Sequence, residues 1–124
     1  MRGIKALVAA VVALLAISGA SADDAKPLKI GVLTDMTGIL SSSLGAGSVD
    51  GARMAIEDFG KTVNGRPIEL IYADHQNKPD IGSAIARKWL DVEGVEAIMD
   101  IGNSAVGLPV RELGQAKDKI MIYS

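Results

Sequence analysis

From residue 28 onward the chain alternates compact apolar runs with segments whose apolar residues recur every three or four positions. Leu28 to Thr34 is rich in Ile, Val and Leu, which predicts a strand buried on both faces. Ser48 to Phe59 predicts a helix: Val49, Ala52, Ile56 and Phe59 form one apolar face, with Ser48 as N-cap and Gly60 just past the end. Asn64-Gly65 is a turn signal before a second strand, Ile68 to Ala73. Asp80 is expected to cap a second helix carrying Ile81, Ala84, Ile85 and Trp89 on one side. Glu96 to Ile101 predicts a third strand. A third helix should run from about Ala105 to Lys117, with Pro109 near its first turn. Lys119 to Tyr123 predicts a fourth strand. The order βαβαβαβ implies an α/β fold, a doubly wound parallel sheet with helices on both faces and right-handed crossovers.

In open parallel sheets, ligands bind beyond the carboxyl ends of the strands. Three polar or small-residue loops leave those ends: Asp35 to Gly47, Asp74 to Pro79, and Gly102 to Ser104. The opposite loops, Gly60 to Pro67 and Asp91 to Val95, look like plain connectors. Ser104 opens a helix, where its hydroxyl, the backbone N–H groups and the dipole suit a carboxylate without any Lys or Arg. On position alone, a simple N-cap is the commoner role for such a serine. Asn103 flanks it. Thr37 is placed to donate to a ligand, and Gly38 would let backbone approach closely, although the segment also fits an ordinary turn. Asp74 and Gln76 suit capping of their own loop backbone.

The first 22 residues form a separate unit. Arg2 and Lys5 precede an uninterrupted apolar run of 12 residues, Ala6 to Ile17, and Ala20-Ser21-Ala22 supplies small residues for cleavage before Asp23. The run is shorter than the ~20 residues that span a bilayer. We therefore expect a cleaved signal at 1–22, a polar lead-in at 23–27, and a domain at 28–124. No cysteine follows the run, which excludes a lipid-anchored lipoprotein and disulfides alike. Removing Arg2 and Lys5 takes the formal charge from −2 to −4, which argues against nucleic acid as a partner.

Other chemistry finds little support. There is no Gly-x-Ser-x-Gly elbow and no Gly-Lys-Ser/Thr phosphate loop. The Gly45-Ala46-Gly47-Ser48-Val49-Asp50-Gly51 stretch is one residue too long for a dinucleotide fingerprint. His75 is the single histidine, so neither a metal site nor a cofactor is expected. Met54, Met99 and Met121 look like core filler.

The segment from Leu28 to Ser124 resembles the start of a type I periplasmic solute-binding protein of the branched-chain amino acid (Leu/Ile/Val-binding) family. The pieces that carry the resemblance are Lys29-Ile-Gly-Val-Leu-Thr-Asp-Met-Thr-Gly38, Gly51-Ala-Arg-Met-Ala-Ile-Glu-Asp-Phe59, Tyr72-Ala-Asp-His-Gln-Asn-Lys-Pro79, Ala84-Ile-Ala-Arg-Lys-Trp-Leu90 and Ile98-Met-Asp-Ile-Gly-Asn-Ser-Ala105. The Ala-Asp-His-Gln-Asn-Lys and Asn-Ser-Ala details are closest to a branch associated with aromatic acids. The resemblance implies a solute held between two lobes and delivered to an inner-membrane ABC permease by a protein that acts as a monomer. It also implies that a Ser hydroxyl and backbone N–H groups in the loop after the third strand hold the solute carboxylate. Ser104 matches that Ser, with Asn103 and Ala105 beside it, and Met36 and Thr37 in the first loop line the cleft. It further implies that the chain corresponds to the greater part of a first lobe, with further contacts expected from beyond Ser124.

The expected function is therefore capture of a small carboxylate-bearing solute, a branched-chain amino acid or an aromatic acid, in the periplasm, without catalysis. Two alternatives remain: an exported α/β hydrolase-like enzyme, which would need a nucleophile–base pair, and the ligand-sensing domain of a receptor.

Overall fold

A computed structural model describes residues 25–124, so the expected signal segment lies outside the described residues. In chain order the elements are β1 (Leu28–Thr34), α1 (Ala46–Phe59), β2 (Thr62–Val63), β3 (Arg66–Asp74), α2 (Pro79–Lys88), β4 (Val95–Met99), α3 (Ser104–Ala116) and β5 (Ile120–Ile122). They build one five-stranded sheet in the order β2-β3-β1-β4-β5. β1 lies at the centre, parallel to β3 on one side and to β4 on the other, and β5 extends the sheet parallel to β4. The doubly wound α/β reading is thus correct, with one addition. β2 forms a short antiparallel hairpin with β3, pairing Thr62 with Pro67 and Val63 with Arg66. Its two-residue turn is Asn64-Gly65, both with positive φ (49° and 75°), the geometry that Asn-Gly favours in a tight hairpin.

Successive β1 side chains point to opposite faces, so neighbouring residues feed two cores. Val32 packs with Val49 and Ala52 of α1. Leu33 packs with Ala86 and Trp89 of the α2 segment and with Val106 and Val110 of α3. One helix covers the first face and two cover the second. The α1 side keeps an apolar groove of about 270 Å³ lined by Ile30, Ile56, Phe59, Ile68 and Met99 among others.

Several boundaries differ from expectation. α1 starts at Ala46 with Gly45 as cap, two residues before Ser48. The cause is Thr34: its buried hydroxyl accepts the Gly45 N–H at 3.1 Å and pins the helix entry to the end of β1. α2 is capped at Lys78 because Pro79, which lacks an N–H, takes the first helical position and leaves Asp80 inside the first turn. The α2 face is also rotated from the expected one. Gly82 and Ala86 are buried and Ala84 is exposed, because α2 packs on α3 as well as on the sheet. A Cβ at Gly82 would stand 2.5 Å from Val106 Cγ1, so the two helices meet there at backbone distance. Phe59, expected on the buried face of α1, is 66% exposed. α2 does not stop before Asp91: Trp89–Glu93 continues as a wider π-type turn, ended by left-handed Gly94 (φ 72°).

Trp89 lies across β1 at Gly31. A Cβ on Gly31 would come within 2.4 Å of the indole. We expect Gly31→Ala to destabilise the protein by about 1–3 kcal/mol through overpacking, read as a lower urea midpoint with Trp89 fluorescence as the probe. An unchanged midpoint would mean that the indole is free to move aside.

Candidate functional site at the carboxyl rim of the sheet

The chain leaves β1 toward α1 on one face and leaves β4 toward α3 on the other. Between these adjacent strands the connections diverge, which opens a crevice of the kind that doubly wound sheets use for ligands. The loop after β1 carries Met36 and Thr37, and the segment after β4 carries Asn103, Ser104 and Ala105. The 74–79 loop, leaving β3, borders them. Met36, expected to line the cleft, packs its side chain against the Val32, Val49 and Ala52 core under α1 instead.

Polar side chains tie these loops together. Asp74 ends β3, opposite Thr34 in the register. Its Oδ1 accepts the N–H of Met36 (2.9 Å) and of Gln76 (2.7 Å), and its Oδ2 accepts the Thr37 hydroxyl (2.6 Å). Burial raises the Asp74 pKa, but these three hydrogen bonds outweigh it and hold the carboxyl below its usual value. The expected capping role of Asp74 therefore extends across two loops. Thr37, expected to donate to a ligand, already donates to Asp74 and retains only acceptor capacity. Gly38 also differs from expectation. A Cβ there would stand 2.5 Å from Asp35 Oδ1, so its bareness makes room for the buried Asp35 carboxylate, which accepts the Gly38 and Leu40 N–H groups.

On the β4 side, Asn103 caps α3. Its Oδ1 accepts the Ala105 N–H at 2.7 Å. Ser104 occupies the first helical position instead, exposed and relieved of the capping role that was the commoner expectation for it. Ala105 N–H, one of the donors that the resemblance offered to a solute, is engaged by Asn103. Asn103 Nδ2 in turn donates to Asn77 Oδ1. Leu44, from the first loop, packs where a Cβ of Gly102 would be, 2.5 Å away. The three loops thus form one connected rim.

Three non-glycine residues on this rim adopt left-handed backbone: Gln76 (φ 52°), Asn77 (φ 56°) and Asp100 (φ 65°). Such strain concentrates at functional sites. His75 is fully buried beneath them. Its Nδ1 accepts the Asn77 N–H at 3.0 Å. Burial pushes its pKa below the ordinary value against the pull of Asp35, Asp74 and Asp100. Among the described residues His75 has no serine partner, so the nucleophile–base pair that a hydrolase needs is not formed there. No cluster of metal-ligating residues occurs among them either.

Sequence reasoning missed Asn77, Asp35 and Asp100. The available signal was position: each lies in the first three residues after a strand, where rim hydrogen bonds are made. Nor did it single out Arg111. A cavity of about 210 Å³ runs from Ser104 along α3 past Gly107 and Arg111 to Tyr123, and the seven-residue spacing of Ser104 and Arg111 places both on one helix face.

Comparison with known proteins agrees with this geometry. Residues 27–124 match the model of the periplasmic binding protein family. The chain belongs to that family. No curated protein matched. Among solved structures, a periplasmic binding protein from Burkholderia mallei is 42% identical with a TM-score of 0.77, over 79% of this chain and 26% of that one. A branched-chain amino acid ABC transporter periplasmic ligand-binding protein from Burkholderia xenovorans is also 42% identical, with a TM-score of 0.73 over 76% and 25% of the two chains. An ABC transporter solute-binding protein from Rhodopseudomonas palustris, in complex with 3,4-dihydroxybenzoic acid, is 26% identical with a TM-score of 0.70 over 78% and 26%. The chain thus spans about a quarter of the length of these relatives. Family membership implies a periplasmic location, and these relatives are binding proteins, not enzymes.

Asp74 supports a prediction about acid stability. A carboxyl held below its unfolded value contributes stability that is complete above about pH 3.9 and is lost as pH falls through the lower folded value. Asp74→Asn should therefore lower the melting temperature at neutral pH, and its deficit should shrink as both proteins are taken toward pH 2–3. A deficit that stays constant with pH would remove the carboxylate as its source.

Proposed function

We propose that this chain is part of a periplasmic solute receptor of an ABC importer, and that the α3 start receives the carboxylate of a small solute. Ser104 supplies the hydroxyl. Its own backbone N–H and the α3 dipole add partial positive charge. Thr37, in the loop after β1, faces the solute as an acceptor. Residues 1–22 act as the cleaved export signal. The partner is an inner-membrane ABC permease, and the receptor works as a monomer.

The observation that carries this reading is the division of labour at α3. Asn103 satisfies the cap, so the exposed Ser104 hydroxyl is left at the helix start, at the crevice where the connections diverge. The named relatives support a carboxylate-bearing solute: one is described as a branched-chain amino acid transporter component, another holds 3,4-dihydroxybenzoic acid. Both ligand classes share a carboxylate and differ in the remainder, which fits a common anchor at Ser104.

In the full-length mature protein, Ser104→Ala should weaken binding by about 1–2 kcal/mol, the scale of a hydrogen bond to a charged group. Calorimetry with isoleucine, benzoate and 3,4-dihydroxybenzoate measures it. Unchanged affinity for whichever solute binds would remove Ser104 from the site.

A further inference from the structure

The solute reading above leaves one buried group without a role, and the inference drawn from it rests on that reading. His75 Nδ1 accepts the Asn77 N–H, so in the neutral ring the proton sits on Nε2. Asn77 Oδ1 accepts from Asn103 Nδ2, and Asn103 Oδ1 accepts from the Ala105 N–H. Three bonds in series connect the buried ring to the first turn of α3. We propose that His75, Asn77 and Asn103 form a proton-sensitive strut that positions the start of α3, and Ser104 with it, for the solute carboxylate. They are positioning residues and need not touch the solute.

Protonation would act at the first bond. A proton on Nδ1 makes two donors face each other, and the Asn77 N–H must turn away. Asn77 holds a left-handed backbone (φ 56°), which Asn adopts more readily than most residues and which the bond to His75 helps to fix. Losing the bond removes that constraint. The Asn77 side chain then shifts against Asn103, whose other end caps α3.

The charges around the ring make this transition accessible. Asp35 reaches it from the end of β1, Asp74 from β3 itself, and Asp100 from the end of β4. α2 meets His75 through Gly82, which brings no charge. Both oxygens of Asp35 and of Asp74 already accept hydrogen bonds. Asp100 differs. Its Oδ2 and His75 Nε2 are the two buried side-chain atoms without a hydrogen-bond partner among the described residues. One is a donor and the other an acceptor. A protonated ring would therefore lose Asn77, and its added charge would act on Asp100, which directly precedes the Ile101–Ser104 segment. Both changes act on the same loop.

The test uses the full-length mature protein, labelled with ¹⁵N and titrated without solute from about pH 8 to about pH 4.5, a range that brackets the ordinary imidazole value of about 6.5. The expected result is that the His75 ring, the Asn77 amide, the Asn103 side-chain amide and the Ala105 amide all shift with one midpoint below that value. Asn77→Ala keeps the backbone N–H but cuts the link to Asn103. There the ring and the residue-77 amide should still titrate together while Ala105 no longer follows. His75→Asn offers an acceptor that does not titrate, and should hold Ala105 at its neutral-pH position throughout. An Ala105 signal that ignores pH in the parent, or that follows it equally in Asn77→Ala, would overturn the strut.

Binding gives a second readout. For isoleucine or benzoate, whichever binds, the parent dissociation constant should rise roughly fivefold between about pH 7.5 and about pH 5.5, the loss of one hydrogen bond, and His75→Asn should abolish that rise. Coupled amide shifts with neither solute bound would sustain the strut and count against the solute reading. Solute binding without coupled shifts would do the reverse.

Discussion

Strand β1 is paired in parallel on both of its edges, and most of the molecule follows from that constraint. Parallel neighbours cannot be joined by a tight turn, so each connection must cross the sheet through a helix. α1 carries the chain to β3 over one face, and α2 carries it past β1 to β4 over the other. The two faces then demand different partners from adjacent residues of one strand: Val32 for α1, Leu33 for α2 and α3. The same winding leaves the loops after β1 and β4 diverging side by side. The crevice at the carboxyl rim is therefore a product of strand order before any side chain is considered.

Side chains then decide whether that rim is firm. Loops cannot pair as strands do, so their backbone groups need other partners. Here carboxylates and amides provide them. Asp74 joins the loops after β3 and β1, Asn77 and Asn103 join those after β3 and β4, and Leu44 packs between the first loop and Gly102. Far from this rim, Arg66 binds Glu96 and the Lys26 and Pro27 carbonyls, fastening β3, β4 and the entry to β1 at the other end of the sheet. That hydrogen bond lowers the Glu96 pKa and raises that of Arg66. One end of the sheet is thus closed by an ion pair. The other is held by hydrogen bonds between the loops that leave the strands.

The candidate site was partly legible. Ser104 could be singled out because a small polar residue between an apolar run and a helical pattern marks a helix start. Which residue would cap that helix could not be read. Asn103 and Ser104 are both good caps, and the choice fell to Asn103, whose Nδ2 also has a partner in Asn77, 26 residues away. Thr37 was visible as a hydroxyl in a rim loop, but its proton belongs to Asp74, 37 residues away. Gly38 signalled close approach, and the approaching group proved to be Asp35. In each case the residue type was informative; for Asn103 and Thr37 the partner was set by contacts between loops distant in sequence, and for Gly38 by a turn within its own loop.

By itself the sequence determined the alternation of strand and helix, the winding class and the rim on which chemistry belongs. Those depend on local periodicity and on the connection rules for parallel strands, which act over a few residues or apply to any such chain. Tertiary structure alone decided the entry of α1 at Gly45, the rotation of α2 toward α3 at Gly82, the burial of His75 and the pairing of Thr37 with Asp74 and of Asn103 with Asn77. These depend on which surfaces meet when separate segments pack. A hydrogen bond of fixed length and direction is specified only when both of its ends have been brought into place.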